Sequence, residues 1–360
     1  MVARLLKKVD LPLLLAVFAL ILAGGLALGS SGGELFYRQL VWLVPSVLVL
    51  VFLPQANIKA ILSYKWVIYG FYALILAMLV VTYFVAPTIS GARSWIQLGG
   101  FQIQPSEFMK AALILLLSSF FAVRHVAIGR VRVILHSFVY FLIPVILILV
   151  QPDLGTALVL FGIWFGYLLL SEIKFKHLIT ALFILITIGA LGWNFALADY
   201  QKARITALFS PEADPLGINY SVIQSKIAIG SGGIYGKGFG QGTQAHLGFL
   251  PAAHTDFVFS TFVEEWGLIG GLLVIGAFIY LVLRLLFLGE QSHSNFARFI
   301  ALGTALMLMI HFTVNLGSAT GLLPVIGVGL PFISYGGSNL LTVSLLVAIV
   351  QGITDKRARA

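Results

Sequence analysis

Of the 360 residues only 10% are charged and 60% are hydrophobic, with a mean hydropathy of +1.03, whereas a water-soluble domain carries about 25% charged residues. This excludes a soluble body and makes the chain a polytopic membrane protein. The absence of cysteine excludes disulfides and thiolate metal sites, and the formal charge of +9 falls in loops between apolar runs, so it reads as topogenic rather than as nucleic-acid binding.

Met1 to Asp10 holds Arg4, Lys7 and Lys8 ahead of an apolar run. The run continues for about 20 residues without a small-residue cleavage site, so it reads as a retained first span and not a signal peptide. About ten spans follow from length and hydropathy: 11–30, 39–54, 66–87, 105–123, 133–150, 155–171, 177–198, 256–288, 297–317 and 338–354. The eighth is long for a bilayer and is expected to tilt or to project at its Asp256 end. With the N-terminus inside, the inner segments collect 15 of the 22 lysines and arginines. The positive-inside rule then places both termini in the cytoplasm. The acids do the reverse, since Glu34, Glu107, Asp153, Asp199, Glu212, Asp214 and Asp256 fall at or near the outer face. The chain therefore reads as all-α, a single transmembrane domain over 1–360, with one long extracytoplasmic loop at 199–255 between the seventh and eighth spans.

The outer segments hold the unusual chemistry. Arg93 and Trp95 precede a turn expected at Gly99–Gly100. Pro105 opens the fourth span at an N1-like position. Lys110 follows Glu107 at i+3, so the two share a helical face. They read either as a pair that neutralises itself near the interface or as groups facing protein or a water-filled cavity. Asp153 lies in the short turn QPDLGT, and reads equally as a cap for the sixth span or as a partner of Lys110. In the long loop, 204–210 and 218–230 look like amphipathic helices lying on the membrane. GSGGIYGKGFGQG, at 230–242, has seven glycines and Lys237 in thirteen residues. It is either a mobile linker or a set of backbone N–H groups for a phosphate. It is not a Walker loop, because no Lys-Ser/Thr pair is present.

HTDFVFSTFVEEWG, at 254–267, sets Asp256, Glu264 and Glu265 at the head of the eighth span. An ionised side chain at the centre of a bilayer helix costs roughly 2.5–3.5 kcal/mol. On a helix Glu264 lies about 80° around from Asp256 and Glu265 nearly opposite, so the three cannot serve one site. Asp256 is read as chemical, and Glu264 and Glu265 as structural acids that hold cations or backbone donors, or that are protonated. His246 and His254 read as ordinary polar loop residues. The segment 315–341, with six glycines and two prolines, is expected to be re-entrant and buried in protein.

GARSWIQLGGFQIQPSEFMK, QPDLGTALV, HTDFVFSTFVEEWGLIG and GLLPVIGVGLPFISYGGS occur in this order along essentially the whole chain. Together they resemble the SEDS family of bacterial cell-wall proteins, whose branches include RodA, FtsW and SpoVE. LLPVIGVGLP and the short N-terminal tail are closer to the elongation branch, RodA. The resemblance implies a peptidoglycan glycosyltransferase of the bacterial cytoplasmic membrane that polymerises lipid II and works with a class B penicillin-binding protein. It puts the essential acid at Asp256, cavity residues at Glu107, Lys110 and Asp153, and the tryptophan of an R-W motif at Trp95. Ser94 stands where many relatives have a second basic residue, which lowers the local charge.

Joining a sugar hydroxyl to an α-linked diphosphate sugar to give a β-1,4 glycan needs one inversion, hence one general base. Asp256 is the candidate. The leaving diphosphate needs positive charge, for which Lys110 is the first choice and Lys237 the second, with Arg93, Arg204 and Lys226 also outside. A divalent cation, magnesium or manganese, bridging Asp256 or Glu107 to the diphosphate is left open, and no dedicated metal motif is visible. The rival readings are a lipid II flippase, a non-catalytic scaffold for the penicillin-binding protein and, more remotely, an ion transporter. Clustering of the polar groups in the outer half favours the enzyme.

Overall fold

The computed structural model describes residues 9–88, 92–99, 101–124, 131–169 and 219–354, with Lys202, Thr206 and Gly217 singly. Helix dominates, because inside a bilayer only a helix or a closed barrel satisfies every backbone group. α1 (Leu11–Ser31) starts at Asp10, whose carboxylate accepts from Leu13 N at 3.0 Å, and Pro12 sits in its first turn. α2 (Glu34–Phe52), the short α3 (Ile58–Ser63) and α4 (Lys65–Val85) follow. An antiparallel hairpin of β1 (Ile96–Leu98) and β2 (Phe101–Ile103) turns at Gly99, where the sequence placed a turn. Then come α5 (Pro105–Arg124), α6 (Val131–Val150), α7 (Leu154–Leu169), α8 (Tyr220–Ser231) and α9 (Thr243–His246). α10 (Val258–Glu290), α11 (Asn295–Thr320) and α12 (Gly337–Ile353) complete the described chain.

Among the described residues, seven helices are long and apolar enough to cross a membrane, and α7 and α12 are shorter apolar helices. These fall on the expected spans. The expected span at 177–198 and the helix at 204–210 lie outside the described residues. The helix expected at 218–230 is α8; its Ser225 face packs on protein, with Ser225 Oγ 2.6 Å from both Ser260 Oγ of α10 and Ala319 O of α11, while Ile227 is exposed.

α5 forms the centre, buried along most of its length between α4, α11 and α12. α2, α4 and α6 lie outside it and expose apolar side chains such as Val44, Leu74 and Ile146. The 321–336 segment has no regular secondary structure, yet Leu330, Phe332 and Ile333 are buried. It passes so close to α1 that a Cβ on Gly24 would stand 2.5 Å from Ile333 O. Gly24→Val should therefore push this segment off α1 and destabilise the protein by about 1–3 kcal/mol, read as a lower melting temperature in detergent. An unchanged melting temperature would mean that the segment is not seated there.

The long eighth span resolves into two pieces. α10 is interrupted at Gly267, at φ 69° and ψ −172°, a conformation closed to residues with a Cβ. At its other end Arg284 grips Asp10 with two hydrogen bonds of 3.0 and 2.8 Å, and Asp10 N donates to Gln351 Oε1. α1, α10 and α12 are thus fastened together at one end of the bundle.

Candidate active site

The turn ahead of α10 is built on Ala252, whose carbonyl accepts from Thr255 N, Asp256 N and Phe257 N at 3.1, 3.1 and 3.2 Å. The carbonyls of His254, Thr255 and Asp256 are each taken by a donor on the 315–335 stretch. His254 O accepts from Tyr335 N at 2.8 Å, Thr255 O from Ser334 Oγ at 2.6 Å, and Asp256 O from Asn315 Nδ2 at 2.9 Å. The backbone of the HTD motif is held at three successive points, with the Asp256 side chain half-buried and Phe257 fully buried behind it. A carboxylate placed this way keeps access to a substrate while its position is fixed.

A second group lies in the core of the bundle. Lys110 Nζ is 2.7 Å from Glu107 Oε2, the i,i+3 pair expected from the sequence, and both residues are buried. Asn339 Nδ2 donates to the same Glu107 oxygen at 2.8 Å. Lys110 Nζ also lies 3.0 Å from His311 Nε2, and His311 Nδ1 lies 2.9 Å from Gly329 O. A carbonyl only accepts, so Nδ1 carries the proton and Nε2 accepts from the ammonium. The third Lys110 N–H has no partner among the described residues.

α11 joins the two groups. His311 and Asn315 stand four residues apart, on one face. Asn315 Nδ2 spans from Asp256 O to Val328 O, also 2.9 Å away, while His311 holds the neighbouring Gly329. His311, Asn315, Ser334 and Asn339 escaped the sequence reading. Their signal was a polar side chain inside an apolar span, which is costly unless it is bonded.

Other expected residues lie apart from this centre. Asp153 does not pair with Lys110. It caps α7, accepting from Thr156 N at 3.0 Å and Thr156 Oγ1 at 2.8 Å, and it takes Gln104 Nε2 and Ser106 Oγ at 3.2 and 3.3 Å. Arg93 is exposed and donates to Thr88 Oγ1, and Trp95 is half-buried just before β1. Ser94, beside them, is buried, and its hydroxyl has no partner among the described residues.

The glycine-rich loop is neither a mobile linker nor an open phosphate cradle. Its Lys237 N and Gly238 N donate to Glu264 O and Glu265 O, and its Gly233 O and Ile234 O accept from Leu268 N and Ile269 N, all between 2.9 and 3.2 Å. These bonds flank the break at Gly267. The contact leaves no room for a Cβ at Gly236, which would strike Glu265 O. The Lys237 ammonium pairs with Glu264 Oε1 at 2.6 Å, and Thr243 N, Thr243 Oγ1 and Gln244 N complete that carboxylate at 2.9, 3.0 and 3.1 Å. Glu265 Oε1 takes Ser30 Oγ at 2.7 Å and faces His246 Nε2 at 3.2 Å. Glu264→Ala removes charge-assisted bonds of about 1.5–3 kcal/mol each. Amide exchange at Lys237, Gly238 and Thr243 should therefore rise at least tenfold, roughly 1.4 kcal/mol, and unchanged exchange would mean that the loop holds without the carboxylate.

No three acids or histidines converge among the described residues. The Glu107, Asp153 and Glu264 carboxylates are each occupied by protein donors. None of these three carboxylates is open to a divalent cation.

Burial and the nearby charge of His246 hold His254 below its ordinary pKa of 6.5. The folded state then binds that proton more weakly than the unfolded state, so this contribution to stability is present above the unfolded pKa of about 6.5 and is lost as pH falls below it. Melting temperature should drop between about pH 7 and pH 5, and the drop should be shallower in His254→Asn; parallel curves would remove His254 as its source.

Comparison with known proteins places these residues in a wider set. The family model for FtsW, RodA and SpoVE, described as cell cycle protein, matches residues 2–359. The peptidoglycan glycosyltransferase MrdB of Escherichia coli K12 is 35% identical over 351 residues, covering 97% of this chain and 94% of its own. The probable peptidoglycan glycosyltransferase FtsW of Trichlorobacter lovleyi is 36% identical over 371 residues, with the same shares covered. Among solved structures, a chain of a peptidoglycan synthase complex that coordinates polymerization and crosslinking superposes with a TM-score of 0.82 at 31% identity, covering 96% of this chain and 97% of that one. The rod shape determining protein RodA of Thermus thermophilus superposes with a TM-score of 0.70 at 29% identity, covering 96% of each chain.

Proposed function

The chain belongs to the FtsW/RodA/SpoVE (SEDS) family, and on that premise we propose that it is a peptidoglycan glycosyltransferase polymerising lipid II at the outer face of the bacterial cytoplasmic membrane during cell elongation. Ten spans with both termini in the cytoplasm form the frame of this reading. The observation that carries it is the grip on three successive carbonyls at His254, Thr255 and Asp256. A membrane helix that only spans has no need of such a fixed turn with an acid on it.

In this reading Asp256 is the general base that takes the proton from the acceptor 4-hydroxyl as it attacks the anomeric carbon. The C–O bond to the diphosphate breaks on the opposite face, inverting α to β, and the diphosphate leaves with the bonding pair. Lys110 supplies the positive charge through its remaining N–H, with Glu107 and His311 fixing its direction. Lys237 pairs with Glu264, which supports a role as loop anchor and favours Lys110 over it as the cation for the diphosphate. A divalent cation would depend on Asp256 and the diphosphate for its ligands, and would supply positive charge to the leaving group. A class B penicillin-binding protein is the proposed partner, in line with the polymerization and crosslinking complex whose chain superposes on this one.

The test is glycan polymerisation from purified lipid II by the chain reconstituted with its cognate class B partner. Long glycan strands support the enzyme. Lipid II crossing the vesicle wall with no polymer formed would replace it with the flippase.

A further inference from the structure

One apolar surface plays no part in the proposed chemistry. On the glycine-rich loop Ile234 is 59% exposed, Tyr235 82% and Phe239 53%, and Leu247 just after α9 is 65% exposed. Large apolar side chains gathered on an exposed loop mark an interface. The loop's attachment says with what. Gly233 O and Ile234 O bond to Leu268 N and Ile269 N, at the first turn after the break in α10. From that turn on, Leu268, Leu272 and Leu273 are 54%, 56% and 69% exposed along a helix of membrane-spanning length and composition. Ile234 and Tyr235 therefore begin where the lipid-facing side of α10 ends.

The depth agrees. Arg284 and Asp10 form an ion pair at the opposite end of α10, beside the start of α1, and charged groups of this kind stand at a membrane boundary. From Arg284 to Gly267 the helix rises roughly 25 Å at 1.5 Å per residue, against a hydrocarbon core about 30 Å thick. Gly267 and the loop bonded to it lie at the far boundary, the level at which tyrosine rings collect.

We infer that the 233–249 loop is seated in the outer leaflet, with Ile234, Tyr235 and Phe239 in the headgroup–acyl boundary and lipid as their partner. The contact is a property of the surface and holds whichever reaction the site performs.

The chain has no cysteine, so Tyr235→Cys accepts a single nitroxide. In vesicles of phosphatidylethanolamine and phosphatidylglycerol, its collisions with oxygen and with a water-soluble nickel chelate report depth. The expected result is a ratio shifted toward oxygen, close to that of a label at Leu272→Cys and away from that of a label at the exposed Glu34→Cys. A nickel-favoured ratio matching the Glu34→Cys label would overturn the proposal, because the loop would stand in water. Protection from both reagents, either in the chain alone or only after the class B partner is added, would also overturn it, since protein and not lipid would then cover the loop.

Discussion

Asp256→Asn should abolish glycan polymerisation while leaving the protein folded. The three bonds that hold the turn go to backbone carbonyls of His254, Thr255 and Asp256, so an isosteric change of the side chain leaves them in place. The amide cannot take a proton from the acceptor hydroxyl, and loss of a positioned general base typically lowers turnover by 10²–10⁴, roughly 3–5 kcal/mol of barrier. The measurement is strand length and rate from lipid II, with melting temperature and partner binding as controls. Equal polymer in both proteins would remove Asp256 as the base. A non-catalytic scaffold would tolerate the substitution in every assay.

The second large effect concerns the buried pair. Lys110→Met leaves the Glu107 carboxylate in the core with Asn339 as its remaining donor. Breaking a buried ion pair from one side costs about 3–5 kcal/mol, because the surviving charge is uncompensated. The variant should be poorly folded and inactive, which by itself says nothing about catalysis. The double variant Glu107→Gln/Lys110→Met removes both charges together and should recover most of the stability. If Lys110 faces the diphosphate, the recovered protein stays inactive. Should it polymerise like the wild type, the pair is structural and the diphosphate is held elsewhere.

The frame of this molecule was legible because apolar length is a local property. The seven described helices long and apolar enough to cross a membrane, and the two shorter apolar ones, fall on expected spans to within a few residues. Glu107 and Lys110 could be paired from their spacing alone, since i and i+3 meet on any helix. Asp153 could not be settled. Its cap is a local contact, but whether a distant lysine also reaches it depends on how α5 and α7 pack. The role of the glycine-rich loop is not legible for a related reason. Its glycines fit against backbone on α10, about 30 positions away, and the break at Gly267 looks in sequence like any glycine in a helix. Polarity inside a span is the one clue the sequence offers to the rest. His311 and Asn315 are a turn apart in an apolar helix and bond to both candidate groups.

The break in α10 also has a mechanical side. Two rods that meet at a glycine would ordinarily pivot. Here one strip of backbone lies across the fracture, tied by Lys237 and Gly238 to the rod above and by Gly233 and Ile234 to the rod below. Opening the joint away from this strip stretches the bonds that tie it to both rods. Gly267 is thus a splinted joint: it sets the angle between the two rods and then withholds the freedom that a hinge would have. The upper rod carries Asp256 at its tip, and the lower rod is apolar enough to cross a membrane. In the proposed reading the splint therefore fixes the distance of the acid from the apolar helix below it, and a lipid-anchored substrate would meet it at one level.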